Sequence, residues 1–266
     1  MRYLRLSTFY LLSFLLLTSC EKDIDIDYHE AAPRYVVEAS ITNLGTKVRI
    51  CQTNAMDNNS SDSPFDNATV VITGNDGTSE TIASSGNGIY TSSLKGVPGV
   101  TYQLDVSLDG QHFTSTSTMQ RTPSMNKFRL VWQKMFTERY LFGDVRIQDI
   151  PNETNHYFVH IYRNKLGYRW TVMKDDTNPN KELQQLFAFF REGSNDSDVL
   201  KEGEKLRIVV RAIDQRAYDY LYSMEQMDET GTNPIDNFTG GCLGYFSAHG
   251  EMTYEVNYHE AEIEED

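Results

Sequence analysis

"TYQLDVSL", residues 101–108, decides the fold class of this chain because its side chains alternate strictly between apolar and polar. The apolar side chains share one face: Tyr102, Leu104, Val106 and Leu108. A period of two is typical of a strand that is buried on one side only. Asp109-Gly110 follows at once, and this dipeptide favours a two-residue hairpin turn. The stretch therefore predicts a β-strand that enters a hairpin.

The same pattern extends towards the N-terminus. "RYVVEAS" places Tyr35, Val37 and Ala39 on one face. Asn75-Asp76-Gly77 is a second hairpin-type turn between alternating runs. Short strands at this spacing are typical of a sandwich. We therefore expect residues 30–122 to form a β-sandwich domain of the immunoglobulin-like or transthyretin-like kind.

The second half of the chain, after Pro123, is also rich in strand signals. Four runs are strand candidates: "NHYFVHIYR", "RWTVM", "KLRIVVRAI" and "EMTYEVNY". The run "QRAYDYLYSMEQM" predicts a helix instead, since Ala217, Tyr220, Leu221 and Met224 recur at helical spacing behind Asp214, a suitable N-cap. Residues 123–266 are thus predicted to form a second β-rich domain that ends in an acidic tail.

A second helix is predicted in this half at "ELQQLFAFF", although its surroundings are β-rich. Its apolar residues are Leu183, Leu186, Phe187 and Phe190, which a helix would place on one face. The fold class expected overall is mainly β, with one or two short helices.

The N-terminus has the features of an export leader. Arg2 and Arg5 precede an apolar run that is too short to span a bilayer, and "LTSC" ends at Cys20. This junction resembles the bacterial lipobox, in which the cysteine receives lipid and becomes the first mature residue. We expect residues 1–19 to be a lipoprotein signal peptide and Cys20 to carry the lipid anchor. An ordinary cleaved signal peptide is the alternative.

Charge narrows the range of partners. The chain has a formal net charge of -14 at pH 7, which repels nucleic-acid phosphates, so no nucleic acid is expected as a partner. Residues 20–29 form an acidic tether that resembles the signal sending many Bacteroidota lipoproteins to the outer face of the outer membrane. We therefore expect an outer-membrane location, lipid-anchored and facing the exterior. A merely solvated tether is the alternative.

The cysteines permit one disulfide bond in the mature chain, between Cys51 and Cys242. In "TKVRICQT" the alternation places Cys51 with Lys47 and Arg49, away from the face that carries Val48. This placement argues against assuming the bond, and the sequence leaves the pairing open.

Five segments together carry a family resemblance: "CEKDIDID", "YVVEASITN", "DNATVVI", "GVTYQLDV" and the C-terminal "NPIDNFTGGCLGYFSAHG" of residues 233–250. Their order and spacing resemble a Bacteroidota outer-membrane lipoprotein family known only as domain of unknown function number 4249. The resemblance covers nearly the whole mature chain, and Cys242 is a departure inside the glycine-rich segment. It implies a setting beside TonB-dependent outer-membrane receptors, and it brings no agreed catalytic residues.

No catalytic motif is found in the sequence. A nucleophile elbow, a zinc helix, a P-loop and paired C-x-x-C motifs are all missing. His156 and His160 lie in a strand pattern about 13 Å apart, too far for one metal, and are interpreted as exposed strand residues. The acidic runs at 57–63 and 195–198 lack the pattern of a calcium loop and indicate solvated loops. We predict no catalytic residue, no metal and no cofactor.

Two function classes follow. The first is a surface-exposed binding lipoprotein, an accessory partner of a TonB-dependent nutrient transporter, and not an enzyme. The second is a surface hydrolase acting on glycans or peptides, because carboxylate pairs are set by space and not by sequence. Phe238 and Tyr245 are candidate contacts for a ligand or partner, and the alternative is that they fill the second core.

Overall fold

The structure, a computed structural model, describes residues 32–53, 63–150, 153–175, 182–227 and 231–265. The predicted signal peptide, Cys20 and the acidic tether lie outside these residues, as does nearly all of the acidic run at 57–63. From Pro33 onward the chain forms one compact unit. These described residues are mainly β, with 59% of them in strands and one α-helix among them, which confirms the predicted class at that level.

The largest sheet contains nine of the described strands. Their order across the sheet is β13 (Leu166–Lys174), β12 (His156–Arg163), β15 (Lys205–Ile213), β16 (Leu243–Asn257), β1 (Tyr35–Thr42), β2 (Thr46–Gln52), β7 (Ile89–Ser92) and β6 (Ser84–Gly86), with β3 (Ser63–Pro64) beside β2. The four strands predicted in the second half are all present. β16 pairs with β1 in parallel, from Val36 opposite Leu243 to Thr42 opposite His249, and with β15 in antiparallel.

This large sheet crosses the predicted domain boundary. β1, β2 and β7 come from residues before 122, whereas β12, β13, β15 and β16 come from residues after it. The hydrogen bonds between β1 and β16 join the two halves along seven residue pairs. The two halves therefore share one sheet.

A four-stranded sheet packs on the N-terminal half of the large sheet. Its order is β5 (Ser79–Ile82), β4 (Thr69–Gly74), β8 (Thr101–Leu108) and β9 (Gln111–Thr118). All four apolar residues predicted to share a face of β8 are buried, and they meet Val37, Ala39 and Ile50 of the large sheet. Asp109 and Gly110 have φ values of 49° and 76° in the two-residue turn, which confirms the predicted hairpin.

A second four-stranded sheet packs on the C-terminal half. Its order is β14 (Glu182–Arg191), β11 (Glu138–Gln148), β10 (Ser124–Met135) and β17 (Glu264–Glu265). The helix predicted at residues 182–190 is wrong, because this segment is β14 and pairs with β11. Phe187 and Phe189 alternate into the core between the sheets, and hydrogen bonding to β11 outweighs the helical spacing of the neighbouring apolar residues.

Both small sheets cover the same face of the large sheet. Along β16, Phe246 and Ala248 enter the first core, and Met252 and Val256 pack against the second. All four have even numbers and so point to one side of the strand. The odd-numbered residues point to the opposite face, which carries the helix.

The helix α1 (Gln215–Glu225) packs on that opposite face, over β12, β13 and β16. Asp214 is its N-cap as predicted, and its side chain accepts a hydrogen bond from the Ala217 amide at 3.0 Å. Ala217, Tyr220 and Leu221 are buried against the sheet, which confirms the predicted core stripe. In the part of the chain that the structure describes, no helix has the length and apolar character needed to cross a membrane.

Cys51 and Cys242 are both buried and both free thiols, so no disulfide joins them. Cys51 lies on the opposite side of β2 from Val48, as the alternation predicts, but is 3% exposed. Burial raises the pKa of the Cys242 thiol to about 12, so this side chain stays protonated and unreactive at neutral pH.

Candidate ligand-binding site

The helix covers only part of the face opposite the small sheets, and beside it lies an open cavity of about 800 Å³. We call this the open-face cavity. Its floor consists of outward-pointing residues of β1, β2, β12, β15 and β16, and its wall includes Leu221 and Met224 of α1. The period of two places these residues opposite the two cores, so the cavity follows directly from the strand alternation.

Aromatic rings form much of the floor. Phe158 contacts Trp170 edge to face, with ring centroids 5.9 Å apart. His160 stacks on Tyr162 at 4.0 Å and an interplanar angle of 20°. Tyr245 stacks on Tyr220 of α1. These rings offer a flat, largely apolar surface of the kind that recognition sites use.

Two ion pairs lie among the rings. Arg49 donates to Glu38 across β1 and β2 at 3.0 Å, and Arg211 donates to Glu251 across β15 and β16 at 3.2 Å. The Arg211–Glu251 pair is much more buried, with side chains 14% and 18% exposed against 36% and 50% for the first pair. Both carboxylates of the cavity lining are thus already bound to a guanidinium.

His249 is the most buried titratable group of the lining, with its side chain 5% exposed. Its Nδ1 lies 2.9 Å from Ser247 Oγ and its Nε2 lies 3.7 Å from a Glu251 oxygen. Burial lowers the pKa of His249, so its ring is neutral at pH 7. The neighbouring His249 ring and then the charge of Arg211 lower the pKa of Glu251, which therefore stays ionised.

Burial also lowers the pKa of His160, to about 4, and the charges of Arg211 and Arg207 lower it further. Burial raises the pKa of Tyr245 to about 12. Neither side chain changes charge near neutral pH. The open-face cavity therefore presents two neutral imidazoles, phenols, rings and paired charges, and the pKa of its more buried carboxyl group, Glu251, is lowered and not raised as in a general acid.

The two candidate contacts of the sequence are separated in the structure. Phe238 is 5% exposed and belongs to the first core, so it offers no contact surface. Tyr245 lines the open-face cavity. Phe246, next to Tyr245, is fully buried in the first core.

The glycine-rich segment before Tyr245 positions β16. Gly240 and Gly241 have φ values of 92° and 87°, as in a tight turn, directly before β16. Gly244 has a φ of 102°, and a Cβ built on it would lie 2.0 Å from the Val37 carbonyl oxygen. Glycine at this position therefore allows β16 to approach β1 and to present Tyr245 to the cavity.

The sequence did not single out Arg211, Glu251 or Trp170 as site residues. All three lie in predicted strands, in which polar side chains at every second position indicate only a solvent-exposed face. Arg211 and Glu251 have opposite charges and lie in two predicted strands. This signal can be recognised only when the pairing of β15 with β16, which places Arg211 opposite Glu251, is known.

The other candidate ligands do not form a metal site. No group of three or more metal-binding side chains occurs among the described residues. His156 is 5% exposed and packs against Tyr218, so its interpretation as an exposed residue is wrong: α1 covers it. In the run at 195–198, Asp196 accepts from Ser194 and Asp198 binds Arg169, both at 2.6 Å.

Comparison with known proteins identifies a family. The model of the family described as Domain of unknown function (DUF4249) matches residues 21–255, which is most of the chain and includes the large sheet except for the last two residues of β16. A search of curated proteins found no match.

Proposed function

The chain belongs to the DUF4249 family, and we propose that it is a lipid-anchored surface protein that works by binding, as the accessory partner of a TonB-dependent nutrient transporter. The open-face cavity is its binding site. The observation that carries this proposal is the pairing inside that cavity: an aromatic floor with Glu38 and Glu251 each held by an arginine. Such a surface is suited to holding a ligand and has no free carboxylate to act as an acid or base.

Anchoring through Cys20 is part of the proposal and rests on the "LTSC" junction. A thioether-linked lipid with further acyl chains holds a protein more stably than one chain would. The outer membrane, with the body facing outward, is the proposed location, supported by the acids of residues 20–29.

The anchor is tested by replacing Cys20 with serine, which removes the thiol that accepts the lipid. We expect Cys20→Ser protein to leave the membrane fraction and to lose the mass of the lipid. Cys51→Ser is the matched control, since Cys51 is buried and should not affect partitioning. Equal membrane partitioning and equal mass in wild type and Cys20→Ser would contradict the proposal.

The finer fold assignment is also a proposal: β1, β2 and β7 with the β5-β4-β8-β9 sheet form an immunoglobulin-like or transthyretin-like sandwich. Its support is the face-to-face packing of Val37, Ile50 and their neighbours against Leu104 and Val106. The parallel pairing of β1 with β16 is then an extension of that sandwich by the C-terminal half.

A surface hydrolase is the second candidate, and one specific arrangement favours it. Ser247, His249 and Glu251 follow one another on the same face of β16, with contacts of 2.9 Å and 3.7 Å in series. This order resembles a nucleophile, a base and an acid. However, Ser247 is fully buried, so a substrate has no access to its hydroxyl. The arrangement is better explained as a buried polar network that orients Glu251.

The two candidates are separated by a serine-reactive fluorophosphonate probe and an activity screen on glycans and peptides. We expect no labelling of Ser247 and no turnover. We also expect the lipidated protein to co-purify with a transporter from outer membranes. Labelling of wild type that is lost in Ser247→Ala, together with turnover lost in the same variant and no membrane partner, would reverse the ranking.

A further inference from the structure

Arg211 has an incompletely satisfied guanidinium in the open-face cavity. Its Nε donates to Glu251 at 3.2 Å, and its Nη2 makes a long contact of 3.4 Å with the Tyr162 hydroxyl. Its Nη1 is buried and has no hydrogen-bond acceptor among the described residues. A buried charged donor without an acceptor costs free energy. A ligand oxygen that accepts a hydrogen bond from Nη1 would remove this cost.

The free side of this guanidinium has a definite shape. Glu251 occupies the Nε position, which leaves the edge between Nη1 and Nη2 with one unpaired donor and one long bond. Two parallel N–H groups at such an edge match the two oxygens of a carboxylate. A carboxylate there would replace the long Tyr162 contact and supply the acceptor that Nη1 lacks.

The local field favours an anion, although the whole chain is acidic. The lining has three basic side chains, Lys47, Arg49 and Arg211, against two acids, Glu38 and Glu251. Lys47 has no ion-pair partner in the part of the chain that the structure describes. A further basic side chain, Arg207, has its Cζ 4.1 Å from the ring centroid of Tyr162, which lines the cavity. The net charge of -14 is that of the whole chain and would repel anions that the cavity does not hold specifically.

An apolar surface adjoins the Arg211 guanidinium. The Arg211 Cζ lies 5.0 Å from the centroid of the Phe158 ring, and Phe158 is in contact with Trp170. Leu221 and Met224 of α1 line the same cavity. A group bound to Arg211 would therefore have rings and aliphatic side chains within reach of the remainder of its molecule.

We propose that the open-face cavity binds an organic carboxylate, with the carboxylate on the Nη1–Nη2 edge of Arg211 and a flat apolar body against Phe158, Trp170 and α1. This inference rests on the proposed binding function and names the chemical class of its ligand.

The test compares carboxylates with neutral amides of the same shape, by calorimetric titration of the soluble Cys20→Ser protein. The probes are cyclohexanecarboxylate against cyclohexanecarboxamide, and benzoate against benzamide. Because a hydrogen bond to a charged partner is worth more than a neutral one, we expect each carboxylate to bind about tenfold more tightly than its amide.

The variants locate this preference. Arg211→Lys keeps the charge but removes the planar fork, and it should reduce the ratio to about threefold or less. Arg163→Lys is the matched control: Arg163 is equally buried, but all its nitrogens that face the protein have acceptors, in Glu204, Ser197 and Val199. If Arg211→Lys does not fold, the double variant Arg211→Gln/Glu251→Gln removes both charges together and should lose the preference in the same way.

The outcomes separate this inference from the proposed function. Equal binding of acid and amide, an undiminished preference in Arg211→Lys, or no saturable binding of either carboxylate would overturn the ligand class. Binding of a neutral saccharide in the cavity with no effect of Arg211→Lys would also overturn it, while leaving the binding function intact. If the protein binds carboxylates as predicted but does not co-purify with a transporter from outer membranes, only the proposed function is overturned.

Discussion

At the scale of single residues, Gly244 is the position with the least freedom to change. It combines a φ of 102° with a Cβ position 2.0 Å from the Val37 carbonyl oxygen. Gly241, three residues earlier, has a φ of 87° but open space where a Cβ would be. The pair therefore separates backbone strain from steric overlap.

We expect Gly241→Ala to cost about 1 kcal/mol, from the left-handed backbone alone, and Gly244→Ala to cost at least about twice that. Thermal unfolding measures both, and each 1 kcal/mol should lower Tm by about 2–4 °C in a chain of this length. Equal losses in the two variants would show that β16 does not need to approach Val37 so closely.

His160 and His259 have opposite effects on the pH dependence of the protein's stability. His160 has a folded pKa of about 4, below its ordinary value of 6.5. The folded state therefore binds its proton only at lower pH, and the stability that neutral His160 contributes is complete above pH 6.5 and is lost as pH falls from 6.5 towards 4. His259, whose pKa is raised by Glu202, has the opposite sign, because its contribution is lost as pH rises through its folded pKa.

Urea unfolding at pH 7 and pH 5 tests this difference, in a window above the titration of ordinary carboxylates. The loss of stability between pH 7 and pH 5 should be smaller in His160→Asn than in wild type. In His259→Asn it should be larger. An unchanged difference in His160→Asn would mean that the imidazole is not buried beside Arg211 and Arg207.

At the scale of elements, α1 and β14 show what the sequence can and cannot predict. Asp214 and the apolar stripe of α1 were recognisable because capping and helical spacing are local. Residues 182–191 carry apolar side chains at spacings that suit a helix and also a strand. Their pairing with β11, whose residues lie 34 or more positions away in the chain, makes this segment the strand β14.

Asp214 also joins α1 to the first small sheet. One carboxylate oxygen caps the helix, and the other accepts from Ser117 Oγ at 2.8 Å and from the Thr118 amide at 2.9 Å. Asp214→Ala should cost about 2–3 kcal/mol, since it removes the cap and leaves the two β9 donors without their acceptor.

Asp214→Asn should cost less, because one acceptor oxygen remains. Asp219→Ala is the control on the same helix, where only the contact with Gln215 is lost, and it should stay within about 0.5 kcal/mol. Chemical denaturation gives all three values. A loss in Asp214→Ala no greater than that in Asp219→Ala would contradict the joining role.

At the scale of the whole molecule, one sheet carries two cores on one face and the helix with the open-face cavity on the other. The apolar residues of β8, β12 and β15 predict the cores. The open-face cavity was not, because its residues come from strands far apart in the chain, and the parallel pairing of β1 with β16 has no local signature. Of the two candidate contacts from the sequence, Tyr245 lines this cavity, whereas Phe238 lies in a core.

The central claim is that this protein works by binding in the open-face cavity, and the two tryptophans of the chain allow a direct test. Trp170 lines the cavity, whereas Trp132 lies on the second small sheet, outside it. Trp132→Phe protein and Trp170→Phe protein each retain one reporter. Their fluorescence is measured during titration with a panel of organic acids, peptides and glycans, and each ligand is recovered afterwards for mass analysis. The account predicts a saturable change from Trp170, none from Trp132, and a ligand of unchanged mass. No response of Trp170 to any member of the panel, or recovery of a hydrolysed ligand, would contradict it.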